Sequence, residues 1–231
     1  MMRVAVVVLA AGSGTRFGHS TNKVWLPLDN RRIISHSLEN AVKSFPGCRA
    51  VLVIDPVDLE VAKEVLARET PDVKVELVFG GRSRHESEFN ALRHLSVDIL
   101  DGSLDVVLIH DGARPLASSH LFHEIAVAAQ VHGGALPAIG VDPLEIDLVT
   151  DKQIARVQTP QAFRAKEVLD AYTKAEEDGF IGTDTAACME RYFPNMESIA
   201  VPGEATNIKI TYPHDLVLAQ RVIAGRGQAG S

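Results

Sequence analysis

Gly12 and Gly14 stand in the run Leu9-Ala10-Ala11-Gly12-Ser13-Gly14-Thr15-Arg16-Phe17-Gly18, and Lys23 follows in Asn22-Lys23-Val24-Trp25-Leu26-Pro27. Glycines let a backbone approach an anion closely and turn its amides toward it. Arg16 adds a planar cation suited to phosphate oxygens. Lys23 brings a second positive charge into the same connection. The set reads as a phosphate-binding loop. Two common phosphate motifs do not fit it. The dinucleotide fingerprint G-x-G-x-x-G would need its third glycine one position before Gly18, and no lysine follows a glycine at the P-loop spacing.

The elements that position this loop follow from hydrophobic periodicity. Val4 to Leu9 is a continuous apolar run, as expected of a strand covered on both faces. Ile34, Leu38, Ala41, Val42 and Phe45 recur at helical spacing. Ala50 to Ile54 is a second buried strand, Leu59 to Leu66 a helical stripe, and Val73 to Phe79 a strand of period two. Ser83 to Leu95 reads as a helix, Val106 to Ile109 as a buried strand ending at His110-Asp111, and a helix capped by Ser118 or Ser119 follows. This order predicts an α/β fold, Rossmann-like, with a mostly parallel sheet and helices on both faces. A loop after the first strand then lies at the carboxyl edge, where open α/β sheets bind ligands.

After Gly133 the pattern becomes irregular. Gly134 to Val157 reads as a short protruding β-arm outside the main sheet, centred on about 139–158. Helices are expected at Ala165 to Glu177 and, capped by Thr183, at Asp184 to Arg191. Short strands are expected at Glu197 to Val201 and Asn207 to Thr211, and a last helix from Pro213 to about Ala224. The reading is one domain over 1–225 with a disordered tail at 226–231.

Composition narrows the class. Of the residues, 46% are hydrophobic and 23% charged, enough for a sizeable core and against disorder. With 23 Lys+Arg against 30 Asp+Glu the net charge is -7, which disfavours a nucleic-acid partner. Cys48 and Cys188 suit two buried thiols better than a disulfide or metal cluster. No apolar span reaches the ~18 residues of a membrane helix. The run Val4 to Ala11 imitates a signal peptide but passes directly into the glycine loop. The expectation is a cytoplasmic protein.

Several ordered blocks resemble the sugar-nucleotidyltransferase superfamily and, within it, the methylerythritol phosphate cytidylyltransferases. They are the glycine loop with Arg16 and Lys23; Gly80-Gly81-Arg82-Ser83-Arg84-His85-Glu86-Ser87; His110-Asp111-Gly112-Ala113-Arg114-Pro115, with glycine in place of an alanine; Gln158-Thr159-Pro160-Gln161-Ala162-Phe163; Gly182-Thr183-Asp184; and Asn207-Ile208-Lys209-Ile210-Thr211. The resemblance implies transfer of a cytidylyl group from CTP to 2-C-methyl-D-erythritol 4-phosphate, with release of pyrophosphate. It implies Arg16, Lys23 and Lys209 as catalytic residues. It places Ala10, Ala11, Gly12, Ser13, Gly14, Thr15, Gly81, Arg84, Ser87, Asp111 and Gly112 at the nucleotide, and Arg114, Asp142 and Thr183 at the acceptor. Mg²⁺ is implied on the triphosphate, with Asp111 as its candidate protein ligand, and a homodimer through the arm.

The arm departs from the family pattern. Asp142 is kept, but Pro143 and Glu145 stand where a threonine and a lysine are usual, and Asp151-Lys152 stands where an arginine pair is usual. Arg156 and Lys152 are the basic residues on the arm, so one of them is expected to supply the second charge for the acceptor phosphate. Two alternatives stay open: a cytidylyltransferase for another polyol phosphate such as ribitol 5-phosphate, and a non-catalytic nucleotide-binding relative. Trp25 is expected to pack rather than stack on a base, and the histidines show no metal-like spacing.

Overall fold

The structure is a computed structural model that describes residues 2–12, 22–142 and 154–229. Its centre is a sheet containing β1 (Val4–Leu9), β4 (Arg49–Ile54), β5 (Val75–Phe79), β6 (Val106–Asp111), β7 (Gly133–Val141), β8 (Ile154–Val157), β9 (Gln161–Arg164) and β10 (Glu197–Pro202). The spatial order is β10-β7-β9-β6-β1-β4-β5, with β8 beside β7. β5, β4, β1 and β6 run parallel, β9 runs against both β6 and β7, and β10 is parallel to β7. A two-stranded hairpin, β2 (Pro27–Leu28) with β3 (Arg31–Arg32), stands apart.

The continuous apolar runs are explained by what covers each face. Val4, Val6 and Val8 join Leu52, Ile54, Val106 and Leu108 under α1 (Ile33–Ser44), α2 (Leu59–Glu69) and α5 (Ser119–His132). The alternate residues Ala5, Val7, Val51, Val53, Val107 and Ile109 pack on the other face. There they meet α3 (Arg84–His94), α4 (Ser96–Leu100), α6 (Ala165–Asp178) and α7 (Thr185–Tyr192). Successive strand residues point to opposite faces, so a doubly covered strand must be apolar at every position. Trp25 is buried in the first cluster, as the sequence suggested. A third, smaller cluster holds α8 (Pro213–Ala229) against the hairpin through Leu28, Ile33, Ile210 and Ala219.

Four expectations need correction. First, residues 133–138 are not an arm: they lie in the main sheet, paired to β10 over Gly133–Ala138 and to β9 at Gly134 and Ala135. Gly133 (φ 107°) passes α5 directly into β7, and the glycines and Pro137 dilute the strand pattern. Only Ile139–Val141, paired with Ile154–Arg156, forms the arm. Val107 and Gly134 both face Phe163, which sets Ala138 level with Asp111. The arm therefore rises past the carboxyl edge. Second, Asn207–Thr211 forms no strand. Asn207 instead spends its side chain on Thr159 O at 2.9 Å, and Ile210 N on Ala113 O at 2.8 Å. Third, α7 is capped by Asp184, whose carboxylate accepts from Ala187 N at 2.9 Å, rather than by Thr183. A carboxylate at that position also complements the helix N-terminus. Fourth, α8 continues past Ala224 into 226–229, since no proline or required contact stops it at Gly225. β9 went unread because four residues are too few to show a period.

Candidate active site

The site is built at the carboxyl ends of β1, β4, β5 and β6. Beyond β1, Ala10 is buried and donates its amide to Val53 O at 2.7 Å. Buried Asn22 staples the returning chain here. Its amide donates to Ala10 O, and its oxygen accepts from Val24 N at 3.3 Å. That bond caps the single turn Lys23–Trp25, and buried Val24 and Trp25 anchor the turn from below. Lys23 is thus fixed beside the end of β1.

Beyond β5 the chain presses against this first loop. A Cβ on Gly80 would sit 2.3 Å from Ala11 Cβ and 2.9 Å from Ser87 Oγ, so no other residue permits the approach. The loop amides are spent internally. Gly80 N donates to Ile54 O at 2.8 Å, Gly81 N to Ser87 Oγ at 3.0 Å and Arg82 N to Glu86 Oε2 at 2.9 Å. Ser87 in turn donates to Ser83 O at 2.8 Å. Ser87 therefore braces the loop, and what the loop can turn to a ligand is carbonyl oxygen, an acceptor.

Beyond β6 lies the charged centre. Asp111 is buried at the end of that strand. One oxygen pairs with the Arg84 guanidinium; the other lies 2.7 Å from Lys209 Nζ and 3.7 Å from Arg114 Nε. Arg84 opens α3, where Ser83 caps the helix by accepting from Glu86 N. One turn on, Glu88 lies fully buried with Oε1 2.9 Å from Arg84 Nε. Glu88 also accepts from the Tyr172 hydroxyl and, at 3.2 Å, from Thr185 Oγ1. Arg114 donates to Asn207 O at 2.7 Å. Lys209 is aimed by its neighbours: Ile208 and Ile210 pack into the α8 cluster, which turns the residue between them toward Asp111.

Burial works to raise the Asp111 pKa, but Arg84 and Lys209 overcome it and hold the carboxyl well below the usual carboxylate range. Burial likewise works to lower Arg84, and Asp111 and Glu88 outweigh it. Arg114 is lowered, by burial first. Glu88 is pushed up by burial against the pull of Arg84. The centre is an ionised carboxylate holding cations from three separate elements. Both Asp111 oxygens are committed, and no group of three His, Cys, Asp or Glu among the described residues is placed to hold a metal. The expected role of Asp111 as a magnesium ligand does not fit this geometry.

The family model of the 2-C-methyl-D-erythritol 4-phosphate cytidylyltransferases matches residues 4–225. The chain belongs to this family. It is 34% identical to the family enzyme of Geobacillus kaustophilus, over 97% of this chain and 99% of that one. It is also 34% identical to that of Aquifex aeolicus, over 94% and 96%. The crystal structure of 4-diphosphocytidyl-2C-methyl-D-erythritol synthase from Anaerococcus prevotii matches with a TM-score of 0.79 at 26% identity, covering 96% of each chain.

The structure brings Arg84, Asp111, Arg114 and Lys209 into one cluster and joins Gly81 to Ser87 in another. Gly112 stands where the cytidylyltransferase block has alanine. A Cβ there would meet Ile34 Cδ1 at 2.7 Å and Leu9 O at 2.9 Å, so Ile34 takes up the space of the missing methyl. Thr183 and Arg156 are exposed and take no part in the Asp111 cluster, and Asp142 is exposed at the arm. Ser13, Gly14, Thr15, Arg16 and Lys152 lie outside the described residues. The sequence reading missed Glu88, Tyr172, and the working parts of Asn22, His110, Thr159 and Asn207. The last four sat inside quoted runs, which was their signal. Glu88 and Tyr172 had none, because a buried ion partner four residues along a helix looks like an ordinary surface pair. Cys48 and Cys188 are free thiols, pushed up to about 11 and about 12 by burial; Cys188 is buried as expected, whereas Cys48 is only half-buried.

Proposed function

We propose that this chain transfers the cytidylyl group of CTP to 2-C-methyl-D-erythritol 4-phosphate. An oxygen of the acceptor phosphate attacks the α-phosphorus. The bond to the α–β bridging oxygen breaks, and its electron pair leaves with pyrophosphate. Two anions must meet in a partly dry cleft, so positive charge has to be in place beforehand. The observation that carries the reading is the set of cations, Arg84, Arg114 and Lys209, drawn together on buried Asp111 at the sheet's carboxyl edge. Arg114 and Lys209 receive the acceptor phosphate. Lys23 and Arg16 stabilise the triphosphate and the leaving group, and the amides of Ala11 to Gly14 cradle it. Magnesium enters with CTP as part of the substrate. The test is pyrophosphate release from CTP against a panel of alditol phosphates. Turnover with another polyol phosphate alone would shift the acceptor, and no turnover with any would leave a nucleotide-binding relative.

The base is chosen by the loop beyond β5. With the amides of Gly80, Gly81 and Arg82 already engaged, the loop offers acceptors, which suit the exocyclic amine of cytosine and oppose the oxygen of uracil. A mismatch there leaves buried polar groups unpaired. CTP is expected to exceed UTP in kcat/KM by about 10²-fold or more, and Ser87→Ala, which loosens the loop, to narrow that ratio. Equal kcat/KM for the two nucleotides in wild type would remove the loop from base selection.

A further charge for the acceptor, from the arm, is assigned to Arg156 or Lys152. Arg156 stands on β8 opposite Ile139, on the part of the arm past the carboxyl edge. Arg156→Ala or Lys152→Ala is expected to raise the acceptor KM about tenfold, with the CTP KM unchanged. If both variants match wild type, neither residue serves the acceptor. β8 pairs with β7 and exposes Val157, which supports a homodimer through the arm. No described helix is long and apolar enough to cross a membrane. Two free thiols suit a cytoplasmic setting.

A further inference from the structure

The turn Asp111–Arg114 carries two members of the charged cluster, and its backbone groups are tied to separate parts of the fold. Gly112 N donates to Leu9 O at 2.9 Å, and Gly112 O accepts from Ser37 Oγ at 2.8 Å. Asp111 O accepts from Arg114 N at 2.9 Å, and Ala113 O accepts from Ile210 N at 2.8 Å. Of the groups that remain, Asp111 N at one end of the turn and Arg114 O at the other are served by one relay. Asp111 N donates to Thr159 Oγ1 at 3.0 Å; Thr159 Oγ1 lies 3.1 Å from His110 Nδ1; His110 Nε2 lies 3.1 Å from Arg114 O.

The direction of this relay follows from the carbonyl and the burial of the ring. A carbonyl only accepts, so Nε2 carries a ring proton. His110 is fully buried against Phe122, at 4.8 Å between ring centroids, and burial lowers it to about 4, so the ring is neutral, that proton is its only one and Nδ1 is bare. Thr159 Oγ1 then accepts from Asp111 N and gives its own hydrogen to Nδ1.

We propose that Thr159 is a positioning residue: through His110 it fixes both ends of the turn that presents Asp111 and Arg114 to the reacting phosphates. Thr159 comes from the kink between β8 and β9, where the chain leaves one strand and enters the next. Asn207 Nδ2 holds the Thr159 carbonyl, and Asn207 O receives Arg114. The same kink therefore sets the guanidinium as well as the turn. Only a hydroxyl at this site accepts from an amide and donates to an imidazole at once.

The consequence for turnover rests on the proposed cytidylyl transfer; the relay itself does not. Thr159→Val keeps the shape and removes the hydroxyl, while Thr159→Ser keeps the hydroxyl. Thr159→Val is expected to lower kcat/KM for the acceptor by about 10- to 100-fold with the CTP KM little changed. Thr159→Ser is expected to restore most of it. Imidazole ¹⁵N shifts provide a second readout. Wild-type His110 should show one neutral tautomer with the proton on Nε2, and Thr159→Val should move the Nδ1 resonance. Unimpaired Thr159→Val, equal impairment in Thr159→Ser, or a wild-type proton on Nδ1 would each overturn the proposal. A wild type inactive on every alditol phosphate but showing the Nε2–H tautomer would overturn the activity and leave the relay standing.

Discussion

Asp111→Asn is expected to lose stability and turnover together, and to recover part of the stability when a phosphate ligand is added. Asparagine keeps the shape of the side chain and removes its charge. Arg84, Arg114 and Lys209 then surround a neutral amide, with Glu88 beside Arg84 as the remaining described carboxylate in the network. Breaking a buried pair from one side costs about 3–5 kcal/mol, because the charges left behind stay desolvated. For a chain of this size that is a fall in Tm of roughly 10 °C. The Asp111 carboxyl is held below its ordinary range, so its contribution is present above about pH 4 and is lost as pH falls further. The gap in Tm between variant and wild type should therefore shrink in acid. Pyrophosphate or CTP supplies the missing negative charge, so either should raise the variant's Tm more than the wild type's. Turnover should fall about 100-fold, since misplaced phosphate-binding groups cost that much. A Tm equal to wild type at pH 7 would mean that the cluster contributes nothing to the fold, and an unchanged gap at low pH would put the charge elsewhere.

The parts of this molecule that could be read in advance are those where one physical demand dominates the sequence. Val4 to Leu9 had to be apolar at every position because helices cover both faces, and so it was visible as a buried strand. The strand ending at His110-Asp111 was visible for the same reason. β7 was hidden by a conflict: it lies inside the sheet, yet Gly133, Gly134, Pro137 and Gly140 interrupt its pattern. Its membership is decided by pairing with β9 and β10, partners far off in the chain. The site shows the same division. Lys209 was legible as a cation inside a motif, but the reason it faces Asp111 is the burial of Ile208 and Ile210 under α8. Thr159 and His110 were legible as motif letters only. Their work is a pair of hydrogen bonds across 48 and 49 positions, which no local spacing encodes.

Lys23→Ala is expected to lower turnover by about 10²–10³ while CTP binding weakens far less. In the proposed reaction, negative charge gathers on the α–β bridging oxygen as the bond to pyrophosphate breaks. An interaction that strengthens only at that stage raises the rate without tightening the ground state. The structure gives Lys23 the rigidity such a role needs. Asn22 ties its turn to Ala10 at the end of β1, and Val24 and Trp25 are buried directly beneath it. Alanine leaves that anchoring intact, because the staple and the buried side chains belong to other residues. Folding should therefore be preserved, and the loss should appear in kcat. A Lys23→Arg control keeps the charge but replaces a compact ammonium by a wider planar fork. It should recover only part of the rate. Single-turnover rates at saturating CTP separate the chemical step from product release, and a CTP titration gives the affinity. If Lys23→Ala turns over within a few-fold of wild type, the stabilising charge comes from elsewhere, and Arg16 becomes the residue to replace next. If instead affinity for CTP falls as much as turnover does, Lys23 holds the nucleotide equally in ground and transition states and contributes binding rather than catalysis.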